Sequence, residues 1–157
     1  MVRIAVLVSG GGTNLQALID AQSRGELKNG RIAAVLSSRP DAYALERAAR
    51  AGIPGYVVAR KDFASNREMT IALVDKLREL NIGLVVLAGF LHILTGEMGA
   101  DGGPIVLQKA VEILEGDTPE VLQRRVMEQA EWHILPQAVS LFCEGRLCVE
   151  GRIVHIL

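Results

Sequence analysis

Short aliphatic runs alternate with amphipathic segments through the first 90 residues. Residues 2–8 are almost all aliphatic rather than alternating, which is typical of a strand covered on both faces in a parallel sheet. The pattern predicts three more strands, at residues 32–36, 56–58 and 82–88. Strands separated by helices of about ten or more residues imply right-handed crossovers. The sequence therefore predicts an α/β fold with a Rossmann-like, doubly wound, mostly parallel sheet.

Helical periodicity predicts the segments between these strands. The first helix follows Asn14 and ends before Gly25; its buried face is expected to carry Leu15, Leu18, Ile19 and Ala21. A second helix after Asp41 is expected to bury Ala44, Leu45, Ala48 and Ala51. A third, at residues 69–80, is expected to bury Ile71, Leu73, Val74 and Leu77.

The regular alternation stops after Gly89. Residues 94–104 contain four glycines, which indicates a loop. Residues 105–113 have the pattern of a strand, residues 118–143 that of a long helix, and residues 148–156 that of a terminal hairpin.

Size and composition limit the classes of partner. The 157 residues fit one domain, and a net charge of −1 gives no bulk attraction for nucleic acid or an anionic membrane. Aromatic residues are only 4%, and no apolar stretch approaches the roughly 20 residues of a membrane span. We expect a cytoplasmic protein without nucleic-acid or membrane partners. Cys143 and Cys148 lack metal-site spacing, so we expect reduced thiols, one of them buried, and no metal.

A glycine-rich loop, Ser9-Gly10-Gly11-Gly12-Thr13-Asn14, follows the first strand. Glycines let the backbone approach an anion closely, and the amides of the next helix N-terminus complement its charge. The loop is neither a Walker motif nor a complete dinucleotide fingerprint. We predict that it binds a phosphate group; a tight turn without a ligand is the alternative.

Other candidate residues remain ambiguous from their positions alone. His92 follows the fourth strand, at the carboxyl edge where open α/β sheets bind ligands, but could be a packing residue. Asp101 could orient a base or belong to an ordinary turn. Arg67 and Glu131 could bind substrate or lie on solvated helix faces, and the arginines of residues 47–50 are interpreted as a solvated face.

Four motifs occur in one order along the chain. They are IAVLVSGGGTNL at residues 4–15, the segment 41–52, VVLAGF at 85–90 and DGGPI at 101–105. In this order they resemble the phosphoribosylglycinamide formyltransferase family, folate-dependent enzymes of purine synthesis, over nearly the whole chain. The resemblance implies the formyltransferase fold and formyl transfer from 10-formyltetrahydrofolate to the amine of glycinamide ribonucleotide.

The resemblance also implies roles for particular residues. Gly12, Thr13 and Asn14 are expected to hold the ribonucleotide phosphate, and Glu131 the ribose hydroxyls. The expected folate contacts are Arg67, Leu91, His92, Ile93 and Leu94, and the expected catalytic aspartate is Asp101. The implied partners are the two small-molecule substrates, with no tightly bound cofactor, in a monomer or homodimer.

The chain departs from the family pattern at one place. Only six residues separate Leu94 from Asp101, and the Asn-x-His motif that supplies the family's catalytic asparagine and histidine occurs nowhere in the sequence. We therefore predict a single domain, 1–157, in which residues 1–90 bind the ribonucleotide. Residues 91–157 are then a remnant of the folate half, with an apparent internal deletion between Leu94 and Asp101.

Two alternative functions remain at this stage. One is a non-catalytic ribonucleotide-binding module, or a degenerate family member without the catalytic pair. The other is a nicotinamide-dependent oxidoreductase, but the second strand ends at Ser37-Ser38-Arg39 rather than at an acidic residue, which fits NAD poorly and leaves NADP a weak alternative.

Overall fold

A parallel sheet of four strands forms the centre of the structure. The computed structural model describes residues 1–95 and 103–157. The strands are β1 (Val2–Val8), β2 (Gly30–Ser37), β3 (Gly55–Val57) and β4 (Leu84–Leu87). Their order in the sheet is β3-β2-β1-β4, and every pair is parallel. The predicted α/β class and the parallel sheet are confirmed.

The aliphatic character of β1 reflects burial on both of its faces. Alternate side chains of a strand point to opposite sides, and residues 4–8 are all fully buried. Ile4, Val6 and Val8 belong to one apolar cluster, whereas Ala5 and Leu7 belong to another. The strand therefore lies in the middle of a three-layer arrangement.

Helices cover the two faces of the sheet. The first three are α1 (Thr13–Ser23), α2 (Tyr43–Arg50) and α3 (Asn66–Glu79). The predicted long C-terminal helix is α4 (Pro119–Val126), a wide π-helical turn (Met127–Glu131) and α5 (Trp132–Cys143) in direct succession. The predicted hairpin is β5 (Leu147–Glu150) and β6 (Ile153–Ile156). No helix among the described residues is both long and apolar enough to cross a membrane.

The strand predicted at residues 105–113 is wrong. This segment has no strand structure, and Ile105 and Ile113 are exposed. A strand needs a neighbour to receive its backbone hydrogen bonds, and within the described residues β4 pairs only with β1. The local pattern of residues 105–113 is that of a strand, but the described part of the chain contains no strand beside which this segment could pair.

Two positions in the predicted helix faces are also wrong. Ile71 is exposed because α3 buries the stripe of Met69, Thr70, Leu73 and Leu77, from which residue 71 is rotated away. Ala51 is exposed because α2 ends at Arg50. One cysteine, Cys143, is buried and Cys148 is exposed, as predicted.

Candidate functional site

Ser9 joins three segments at the carboxyl edge of the sheet. Its side chain is buried, and its Oγ lies 2.7 Å from the Oγ of Ser38. The backbone N–H of Leu91 donates to the same Oγ at 2.9 Å. Because these residues follow β1, β2 and β4, the glycine loop is anchored where open α/β sheets bind ligands.

Gly12 gives the loop its shape. Its φ of 70° lies in the left-handed region, which residues with a Cβ adopt only at a cost. A Cβ added there would lie 2.6 Å from the Cβ of Ala44 on α2. Only glycine allows this turn and this close approach together.

The amides after the turn form a candidate anion site. Gly12 precedes α1 without a side-chain cap, and the first turn of α1 carries no acidic residue. Within the described part of the chain, the backbone N–H groups of Gly12, Thr13 and Asn14 donate to no acceptor. Free amides and the positive end of the helix dipole together favour an anion at this place.

Asn14 and Glu131 face each other beside the loop. The Nδ2 of Asn14 donates to the Oε2 of Glu131 at 2.9 Å, across a separation of 117 residues. The Oγ1 of Thr13 lies 3.9 Å from the Sδ of Met127, at the other end of the wide turn. The structure thus brings together four residues predicted for the ribonucleotide: Gly12, Thr13, Asn14 and Glu131.

A cleft of about 590 Å³ opens at this contact. Its polar wall carries Asn14 and Glu131, and its apolar wall is formed by the end of β4, residues 105–107 and α5. A second cleft of about 300 Å³ lies beside Thr13 and Gln16, with Arg47 on its rim. Thr13 lines the second cleft and Asn14 the first, so the start of α1 borders both.

Arg47 is a residue of this region that the sequence did not indicate. The interpretation of residues 47–50 as a solvated face is wrong for Arg47, whose Nε donates to the carbonyl oxygen of Gly11 at 2.8 Å. Its Nη1 donates to the Oε1 of Gln16 at 3.0 Å. No local signal could have found this contact, because it depends on how α2 packs against the loop.

The predicted folate segment follows β4. Leu91 and Ile93 are exposed, whereas Leu94 is buried in the apolar cluster that contains Met69 and Leu73 of α3. The ring of His92 packs edge-on against Phe90, with 5.6 Å between ring centroids.

The N-terminal part of α3 lies against the same segment. The N–H of Thr95 donates to the Oγ1 of Thr70 at 3.3 Å, and Arg67 is exposed in the first turn of α3. Asp101, the predicted catalytic residue, lies outside the described residues. Within residues 1–95 and 103–157, no three or more His, Cys, Asp or Glu side chains are grouped as metal ligands.

Comparison with known proteins identifies the family. A family model described as formyl transferase matches residues 2–99. The phosphoribosylglycinamide formyltransferase of Haemophilus influenzae is 36% identical, in an alignment that covers 99% of this chain and 94% of that protein. The chain belongs to the phosphoribosylglycinamide formyltransferase family.

Solved structures of phosphoribosylglycinamide formyltransferases share the fold. Glycinamide ribonucleotide transformylase 1 from Symbiobacterium toebii superimposes with a TM-score of 0.93 at 38% identity, over 100% of this chain and 94% of that one.

The trifunctional purine biosynthetic protein adenosine-3 of Drosophila pseudoobscura is 32% identical over 92% of this chain, but the match spans only 14% of that longer protein.

The relatives are longer within the matched region. The alignment with the Haemophilus influenzae relative runs over 201 residues, which is 44 more than the 157 of this chain. That relative therefore carries at least 44 residues without a counterpart here.

Proposed function

We propose that the chain acts as a folate-dependent formyltransferase in purine synthesis. The reaction transfers the formyl group of 10-formyltetrahydrofolate to the primary amine of glycinamide ribonucleotide. One observation carries the proposal to this chain: Asn14 and Glu131, assigned to the ribonucleotide by the family resemblance, meet at 2.9 Å beside the glycine loop. No tightly bound cofactor is required.

The ribonucleotide occupies the glycine-loop side of the site. Its phosphate accepts hydrogen bonds from the free amides of Gly12, Thr13 and Asn14, where the dipole of α1 favours a negative charge. The carboxylate of Glu131 accepts hydrogen bonds from the ribose hydroxyls. Held at both ends, the substrate presents its amine in a fixed position, which lowers the entropic cost of the reaction.

The folate occupies the side that residues 91–94 and Arg67 line. The amine attacks the formyl carbon to form a new C–N bond, and the tetrahedral intermediate collapses by breaking the bond between that carbon and the nitrogen of tetrahydrofolate. The attacking amine loses a proton and the leaving nitrogen gains one. Asp101 takes part in this proton transfer through water. The family's asparagine would stabilise the oxyanion and its histidine would move the proton.

The missing catalytic pair sets the expected rate. We place the residues that the relatives have in excess between Leu94 and Asp101, because the motifs on both sides match the family and the chain contains no Asn-x-His. Loss of an oxyanion donor and a general base lowers the rate of an enzyme by several orders of magnitude. The 157-residue chain is therefore expected to bind the ribonucleotide and to turn it over slowly.

The proposal extends to the setting of the reaction. We place the protein in the cytoplasm, with the two small molecules as its substrates. It works as a monomer or homodimer, without nucleic acid or a membrane.

A chimera tests the proposed function. The Haemophilus influenzae residues without a counterpart here are inserted between Leu94 and Asp101, and formyl transfer is measured with both substrates. The same chimera with alanines in place of the inserted asparagine and histidine is the matched control. We expect turnover by the chimera well above that of the control and of the 157-residue chain.

Calorimetry on the unaltered chain separates the enzyme from a binding module. We expect binding of glycinamide ribonucleotide by the chain and binding of both substrates by the chimera. A chimera that binds the ribonucleotide but forms no product would favour the non-catalytic module. Absence of ribonucleotide binding by the unaltered chain would refute both functions.

A further inference from the structure

Helix α2 holds two successive carbonyl groups of the glycine loop. The backbone N–H of Ala44 donates to the carbonyl oxygen of Gly10 at 3.1 Å. One turn later, the Nε of Arg47 donates to the carbonyl oxygen of Gly11 at 2.8 Å. The loop therefore receives both a backbone and a side-chain hydrogen bond from the same helix.

These two bonds fix the direction of the next two amides. In a planar trans peptide the C=O and the following N–H point in opposite directions. Because the Gly10 carbonyl points toward α2, the N–H of Gly11 points away from α2. Because the Gly11 carbonyl points toward Arg47, which is also on α2, the N–H of Gly12 points away from α2 as well. Successive N–H groups that point the same way form an anion-binding concavity.

We infer that Arg47 is a positioning residue for the phosphate loop: it holds the Gly11–Gly12 peptide in the orientation that presents the Gly12 N–H to the phosphate. The inference rests on the proposed function, which seats a phosphate at this loop. Glycine peptides rotate with little steric resistance, so a loop of three glycines needs an external contact to favour one orientation.

The Arg47 side chain is itself held in place. Its Nη1 donates to the Oε1 of Gln16 on α1 at 3.0 Å, and its guanidinium lies 5.0 Å from the centroid of the Tyr43 ring. The planar fork of arginine lets one side chain donate to Gly11 and Gln16 together. Arg47 thereby connects α2, the loop and α1.

Arg50 provides a matched control on the same helix. It also lies beside the Tyr43 ring, at 5.5 Å, and it bonds to Glu46 and Tyr43 rather than to the loop. Arg50→Met removes the same charge as Arg47→Met and disturbs the same ring. Only Arg47→Met removes the hydrogen bond to the Gly11 carbonyl.

The test is titration calorimetry of these two variants and the unaltered chain with three probes. The probes are inorganic phosphate, glycinamide ribonucleotide and the same nucleoside without its phosphate. Arg47→Met is expected to weaken binding of both phosphate-bearing probes about tenfold or more, as for a lost hydrogen bond to a charged group. Its affinity for the nucleoside should not change, a selectivity that a general structural defect would not produce. Arg50→Met should stay within about twofold for all three, because exposed charge pairs contribute little.

The outcomes separate this inference from the proposed function. If Arg47→Met and Arg50→Met lost the same affinity for the phosphate-bearing probes, the positioning role of Arg47 would be overturned. The proposal that the chain binds the ribonucleotide would still stand. An unaltered chain that binds phosphate but not the ribonucleotide would refute the function, and the phosphate titrations would still decide the role of Arg47. An unaltered chain that binds neither would overturn both.

A second variant covers the case in which Arg47→Met does not fold. Gln16→Ala removes the other acceptor of the guanidinium without touching the loop. It is expected to weaken phosphate binding several-fold, and unchanged binding would count against the inference.

Discussion

Among the three glycines of the loop, Gly12 is the one least able to accept a side chain. Gly12→Ala would place a Cβ in the left-handed region and 2.6 Å from the Cβ of Ala44. We expect a loss of about 2–4 kcal/mol in the free energy of unfolding, from backbone strain and overpacking together. Urea denaturation of the variant measures it.

Gly11→Ala is the control for this prediction. A Cβ added to Gly11 meets nothing within 4 Å, and its φ is not in the left-handed region. Its stability should stay close to that of the unaltered chain. Equal losses at the two positions would show that the turn does not depend on the conformation of Gly12.

The charge of Glu131 is expected to matter more for binding than for folding. Glu131→Gln keeps an oxygen that can accept from Asn14, so the fold should persist. The variant loses the anionic acceptor that we propose for the ribose hydroxyls, and charged hydrogen bonds are roughly twice as strong as neutral ones. We expect about tenfold weaker binding of glycinamide ribonucleotide by calorimetry.

Glu128→Gln in the same wide turn is the matched variant for Glu131. Glu128 is exposed and bonds to no residue of the loop. Its substitution should leave ribonucleotide affinity unchanged. If both glutamines weakened binding alike, the effect would be one of general charge rather than of a ribose contact.

The sequence indicated the candidate binding residues unevenly, for a physical reason. Ser9 to Asn14 form a continuous glycine-rich motif whose chemistry is local, so the loop could be predicted. Glu131 was ambiguous by spacing and became a candidate only through the family resemblance. Arg47 was missed because an arginine on an amphipathic helix has the same sequence pattern whether it bonds to solvent or to a neighbouring loop.

At the scale of elements, the turn before α4 is held by a carboxylate. Asp117 accepts from the Nη2 of Arg125 at 2.7 Å and from the N–H of Leu114 at 2.8 Å. The Arg125 guanidinium, and then the Leu114 amide, hold the pKa of Asp117 below its usual range. This turn leads directly into the helix that carries the wide turn and Glu131.

The lowered pKa of Asp117 predicts acid sensitivity. Because the folded state favours the ionised form, this stabilisation is present above the usual pKa of about 3.9 and is lost as the pH falls through the lower pKa of the folded protein. In the variant Asp117→Asn, the free energy of unfolding should therefore decrease less steeply as the pH falls below about 4. Urea unfolding followed by circular dichroism at several pH values measures this slope, with Asp75→Asn as an exposed control that should keep it.

The failed strand at residues 105–113 shows what local pattern cannot supply. Helices α1 to α3 form their hydrogen bonds within themselves, so periodicity predicted them. A strand depends on a neighbour elsewhere in the chain, and no rule of spacing tells whether that neighbour is present. The prediction of β1 was correct because this strand has a hydrogen-bonded neighbour on each side, β2 and β4.

At the scale of the whole molecule, the two edges of the sheet differ. β3 is only three residues long, follows Pro54, and has Lys76 over its Tyr56 ring at 5.2 Å. Short strands, prolines and lysines are the usual protection of a sheet edge. β4 has the sequence Leu-Val-Val-Leu, with no charge and no proline, and among the described residues its outer edge is unpaired.

The unprotected edge predicts weak self-association through β4. An edge strand presents unpaired N–H and C=O groups, and the same edge of a second copy can pair with them in an antiparallel, twofold-symmetric contact. Leu87→Lys places a charge on a side chain that is 43% exposed at this edge. Val57→Lys places a charge on the opposite edge, on a side chain of β3 that is 46% exposed, and is the matched control. Sedimentation velocity over a range of concentrations should show association that Leu87→Lys reduces and Val57→Lys leaves unchanged. A chain that stays monomeric at every concentration, or equal behaviour of the two variants, would show that the β4 edge is not a contact surface.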